Sequence, residues 1–306
     1  LGNKNYSGGV MLNSDAMAKE LKGLYSKAIT QSDFEKVWGI GKGFAMNVPR
    51  ERWLEIGVYS IILPALWARY YLAKKFGKIE EDILNFYTWV EDGWISSKSA
   101  GEVDLLFSYG YLLSVIKSQL FKKLTDADAI NSEMERLLEY LKDAKAVFKV
   151  INAEALAADQ RGETQEAINI LDRAEKLFPE ARKNSATFQS LANIYSNMGL
   201  FEIKLSDAVE SPDFKREYLY SALLNLNEAC ELYMKVVPPP LKHVVGAENR
   251  LILAVSKILL TSGLREEAGL GKKIGELFAA NAKDDAKAII SGITRADIFS
   301  GEMGKF

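Results

Sequence analysis

An alanine is followed four positions on by leucine and three further on by alanine at Ala167, Leu171, Ala174, and again at Ala222, Leu226, Ala229. Residues three and four apart share one face of a helix, so each triplet sets a small, a large and a small side chain along one stripe. Small residues let two helix backbones approach, and the large one fills the groove between neighbouring side chains. A chain with such stripes is restricted to closely crossed helices. The rest of the sequence agrees. Strand-type alternation of Val, Ile and Thr is sustained nowhere. Of the seven prolines, six stand at segment boundaries: Pro49, Pro179, Pro212 and Pro238 to Pro240. The expected fold class is all-α.

Capping chemistry and periodicity place the helices. Ser14-Asp15 can cap a first helix to about Ile29, with Met17, Leu21, Leu24, Tyr25 and Ala28 at helical spacing. Ser32-Asp33-Phe34-Glu35 has the capping-box pattern. Gly39, Gly41 and Gly43 follow; no strand precedes them, so they read as close helix packing or a helix end rather than a phosphate loop. Pro49 opens a long, nearly all-round apolar helix from Arg50 to Phe76, stopped by Lys74, Lys75 and Gly77. Within it, the longest uncharged run, Ile56 to Ala68, is interrupted by Pro64 and is too short to span about 30 Å of hydrocarbon. Further helices are expected from Ile79 to Trp89, from Val103 to Lys123 beyond a polar turn at Ser96–Gly101, and from Thr125 to about Val150.

The formal net charge of −2 gives no electrostatic reason to bind nucleic acid or an anionic membrane. Cys230 is the sole cysteine and reads as a small apolar residue, while the sole histidine, His243, rules out multi-histidine metal sites. Adjacent acids at Glu80-Glu81, Glu91-Asp92 and Asp284-Asp285 diverge on a helix and read as charged ends and caps. No nucleophile-elbow or phosphate-loop sequence occurs. Neither catalysis, a cofactor nor a metal is therefore expected. Leu1 to Gly9 reads as a leader; a removed export signal, with a lipid anchor upstream of Leu1, would explain such a start, and so would truncation.

Around the first triplet, Gly162 precedes it and Pro179 follows, and the helix before it offers Ile151, Ala155 and Ala158 at packing positions. In the next unit Phe188, Leu191-Ala192, Tyr195 and Gly199 hold a large, Leu-small, Tyr, Gly order. These residues resemble tetratricopeptide repeats, helix hairpins of about 34 residues. Departures exist: Glu154 stands where leucine is usual, and Leu200 to Tyr220 is inserted before the second triplet. A weak third unit holds Ile252, Ser256, Leu259, Gly263 and Ala268, with Lys272 where a large apolar residue belongs. The implied organisation is a leader at 1–13, an N-terminal helical region at 14–147 packed on the array, repeats at 148–280 with an insertion near 200–220, and a C-terminal helix and tail at 281–306.

The resemblance implies an α-solenoid with a concave face that holds a protein or peptide partner. Its groove positions fall on Lys149, Asn152, Leu156, Asp159, Ala186, Gln189, Asn193, Ser196, Asn197, Arg250 and Lys257. Asn193 and Asn197 would grip a peptide backbone, and Lys149, Arg250 and Lys257 a carboxylate. A solvated polar face is the plain alternative. Self-association is left open. The second functional expectation starts from Trp38, Trp53, Trp67, Trp89 and Trp94, all in the first hundred residues. They fill a bundle core or line a pocket for a small apolar ligand, as in an exported or lipid-anchored protein of a solute-uptake system.

Overall fold

The structure, a computed structural model, describes residues 7–77, 83–138, 143–261, 265–280, 285, 286, 288 and 289. Among these there are twelve α-helices and no strand: α1 (Ser7–Lys27), α2 (Gln31–Met46), α3 (Val58–Phe76), α4 (Ile83–Ala100), α5 (Val103–Val115), α6 (Leu124–Leu138), α7 (Ala144–Gln160), α8 (Thr164–Leu177), α9 (Phe188–Ala208), α10 (Pro212–Lys235), α11 (Leu241–Thr261) and α12 (Arg265–Ala279). None of them is long and apolar enough to cross a membrane, among the described residues. The expected C-terminal helix and tail, Glu80-Glu81 and Gly263 lie wholly or almost wholly outside the described residues.

Several boundaries differ from the sequence reading, each for a local reason. Helix α1 begins at Ser7, so Ser7–Asn13 of the expected leader belong to it and Ser14-Asp15 lie inside it. The capping box of α2 sits at Thr30 and Asp33, not Ser32 and Glu35. Thr30 Oγ1 accepts the Asp33 N–H at 3.2 Å and Asp33 Oδ2 accepts the Thr30 N–H at 2.8 Å. Those bonds hold the Asp33 carboxyl below the usual carboxylate range. The helix expected from Arg50 starts only at Val58: one 3₁₀ turn at Arg50–Arg52 is followed by Gly57 at φ +65°, a left-handed conformation that glycine adopts without strain. The expected turn at Ser96–Gly101 is instead the last turn of α4, ended by Gly101 at φ +70°. The helix expected to run from Thr125 to Val150 is two helices, because Asp143 Oδ1 accepts the Ala146 N–H at 2.8 Å and caps a fresh start.

The chain forms two compact units, Leu1–Leu191 with Tyr233–Lys242, and Ala192–Leu232 with His243–Phe306. The boundary between them falls within α9, and the α7–α8 hairpin belongs with the N-terminal helices, with α5 and α6 packed on α7.

The first unit has an aromatic core built by close approaches. A Cβ at Gly93 would come 2.2 Å from the Tyr109 ring, and one at Gly110 would come 2.4 Å from Trp94. Both glycines are thus needed to bring α4 onto α5. Tyr109 then donates its hydroxyl to the Tyr59 carbonyl at 2.6 Å. The stripe Ala167, Leu171, Ala174 is buried, as are Ala155 and Ala158 on α7, and Phe148 meets Phe178 edge-on at 5.7 Å across the hairpin.

The second unit has an aliphatic core of Ile203, Leu219, Leu226, Ile252, Val255, Ile258 and Ile274. The second stripe is also buried, and a Cβ at Gly199 would come 2.5 Å from Leu226 Cγ, so glycine is what lets α9 lie on α10. The inserted segment extends both helices, to 21 and 24 residues against 17 and 14 for α7 and α8.

Candidate functional site

Most of the groove positions are engaged within their own unit. Asn152 is 3% exposed and donates its amide to the Tyr111 hydroxyl at 2.5 Å. Lys149 Nζ donates to Ser108 Oγ at 2.8 Å, and burial lowers the pKa of its amine. Leu156 packs on the aromatic core, and Asp159 accepts the Thr164 hydroxyl at 3.2 Å. Helix α5 therefore occupies the α7 face that the resemblance assigns to a partner. In the second unit Arg250 Nη1 donates to both the carbonyl and hydroxyl of Ser196 at 2.7 Å, and Lys257 pairs with Asp207. Asn193 and Asn197 are half-buried on α9 and both have partners. Ala186 and Gln189 are exposed. These polar groups join helices to one another; sequence spacing reports the face they occupy but not what lies opposite.

Four of the five tryptophans are buried against one another and their neighbours. Trp53 and Trp89 meet edge-on at 5.3 Å, Trp38 and Trp89 meet tilted at 5.9 Å, and Trp94 closes over Gly110. Trp53 Nε1 donates to the Val48 carbonyl at 2.9 Å, satisfying its one polar atom. These rings are core. Trp67 differs: it is half-buried and stands 5.5 Å from Tyr111 and 5.7 Å from Tyr70.

Trp67 leads to a constellation that spacing did not single out. Tyr25 on α1, Tyr70 and Tyr71 on α3, and Tyr111 on α5 bring four phenols together, and their proximity disfavours ionisation of one another. Burial pushes the Tyr25, Tyr70 and Tyr111 hydroxyls well above the ordinary phenol range, so they stay protonated. Lys242, at the start of α11 and in the same unit, places Nζ 2.8 Å from the Tyr25 ring centroid and 5.9 Å from that of Tyr71, and donates to the Tyr25 carbonyl at 3.2 Å. Desolvation lowers the Lys242 pKa well below the usual lysine range. Yet Tyr25, Trp67, Tyr71, Tyr111 and Lys242 all keep accessible surface. These side chains form a half-buried cluster of rings around one desolvated amine. The tyrosines gave no sequence signal beyond apolar spacing, and Lys242, behind three prolines, gave none.

No cluster of His, Cys, Asp and Glu suited to a metal ion occurs among the described residues. Cys230 is half-buried, not fully buried as its apolar setting suggests. The Glu91-Asp92 pair makes structural contacts: Glu91 accepts the Tyr87 hydroxyl, and Asp92 pairs with Arg50. The class these features define is an all-α protein with a half-buried cluster of tyrosines, Trp67 and the Lys242 amine in its first unit. Comparison with protein-family models, curated proteins and solved structures finds no match.

Proposed function

We propose that this chain is a non-catalytic binding protein and that its binding region is a recess bounded by Tyr25, Trp67, Tyr71, Tyr111 and Lys242. The observation that carries the reading is that Tyr25, Tyr111 and Lys242 are desolvated and yet retain accessible surface. Ligand sites are concave, mostly apolar and aromatic, and carry a few converging polar groups. The tyrosine rings supply the apolar wall, and the hydroxyls and the Lys242 amine supply the polar points. The ligand-binding side of the sequence reading is thus preferred, moved from the tryptophan cluster to the tyrosines beside Trp67.

Partner capture by a tetratricopeptide-like array is the second reading. It is favoured by the buried alanine–leucine–alanine stripes and the fit of Gly199 on Leu226. It is weakened by the internal engagement of Lys149, Asn152, Arg250 and Lys257. A thermal-shift screen separates the two, since a ligand that binds only the folded state raises its melting temperature. Ring-bearing and acyl small molecules are expected to stabilise the wild type and the Asn193→Ala/Arg250→Ala variant alike, and to lose their effect in Tyr111→Ala. Stabilisation by peptides alone, abolished in the double variant, would replace this reading with partner capture.

A further inference from the structure

We infer that the recess recognises a carboxylate, with the Lys242 amine and the tyrosine hydroxyls receiving the head group and Trp67 and the phenol rings receiving an apolar tail. The inference rests on the proposed binding role of the recess and adds the ligand's chemical class.

The argument is one of charge and donor count. Lys242 makes one hydrogen bond, to the Tyr25 carbonyl, and two ring contacts; no carboxylate pairs with it among the described residues. An enclosed ammonium without a counter-charge is costly, and a negative group that enters beside it repays that cost. The neighbouring groups are also donors. Tyr25, Tyr70 and Tyr111 hold their protons, and a protonated phenol offers an O–H to an anion. A second positive group stands beside the cluster: Lys74 Nζ lies 5.7 Å from the Tyr70 ring and bonds Gln119 Oε1 at 3.0 Å. One cation inside the recess suits a monoanion better than a phosphate dianion. The walls suit a tail of one ring or a short acyl chain, since Tyr70 and Tyr111 each stand within 5.7 Å of Trp67.

The test uses matched probes on the whole chain: octanoate against octanol and 3-phenylpropionate against 3-phenylpropanol, titrated by isothermal calorimetry. Each acid is expected to bind about tenfold or more tightly than its alcohol, the worth of one charge-assisted hydrogen bond. In Lys242→Met the acid's advantage is expected to vanish while the alcohol's affinity holds, which also reports that the variant is folded. Alcohols that bind wild type as tightly as acids would overturn the carboxylate assignment and leave the recess a purely apolar site. Failure of all four probes to bind would overturn the binding role of the recess as well.

Discussion

The two units each bury an ionisable group, and treat it in opposite ways. Glu202, in the second unit, is 4% exposed; its carboxylate accepts the Ser221 hydroxyl at 2.5 Å and the Asn225 amide at 2.9 and 3.0 Å. Those neighbours belong to α10, so the group joins α9 to α10. Lys242, in the first unit, is enclosed with one carbonyl and two rings for company, and retains accessible surface. A buried charge whose bonds are completed by its own fold is part of the fold's framework. One left incomplete costs stability, and such costs concentrate where a protein meets something else.

That contrast can be broken or sharpened by substitution, read by chemical denaturation. The largest effect belongs to the aromatic core: Trp53→Ala removes a ring in contact with Trp89 and Tyr59 and is expected to destabilise by about 3–5 kcal/mol. Next, Glu202→Ala strands the Ser221 and Asn225 partners and should cost roughly 1–3 kcal/mol. A neutral result there would make Glu202 no more structural than Lys242.

Glu154 tests the first unit's electrostatics. Burial, then repulsion from Glu135, raises its carboxyl to about 7, against a modest opposing effect of Arg173. The folded state therefore holds a proton that the unfolded chain has released, so stability falls as pH climbs from about 4.5 to about 7. Glu154→Gln is expected to flatten that slope, by on the order of 1–2 kcal/mol given the coupling to Glu135. An unchanged slope would show that the carboxyl is solvated.

The smallest change carries the opposite sign. Lys242→Met is expected to leave stability unchanged or raise it by about 1 kcal/mol, because it removes a desolvated amine. The folded amine gives up its proton at lower pH than the unfolded one. Its penalty is thus full at low pH and fades as pH rises toward the ordinary lysine range. The gain from Lys242→Met should accordingly be larger at pH 6 than at pH 10. A loss of stability at both would place Lys242 with Glu202 as framework.

The helices were legible because periodicity and caps are local. Ala167, Leu171 and Ala174 announce a buried stripe, and Lys74, Lys75 and Gly77 announce a helix stop, without reference to the rest of the chain. Starts were less legible: Thr30 and Ser32 both precede a suitable acid, and only the backbone geometry selects Thr30. The cluster around Lys242 was not legible. Lys242 meets Tyr25 across 217 positions, and Asn152 meets Tyr111 across 41. A pattern reports which face a side chain takes and not which helix will cover that face. For the same reason the α7 positions looked like an open groove, although α5 lies on them.

Hydrogen–deuterium exchange on the whole chain, with and without saturating octanoate or octanol, tests the binding role of the recess most directly. The expected result is protection in the peptides that carry Tyr25, Trp67 to Tyr71, Tyr111 and Lys242, with the peptides of Asn193 and Lys257 unchanged. Protection confined to the peptides of α9 and α11 beyond Lys242, or none with either compound, would contradict it.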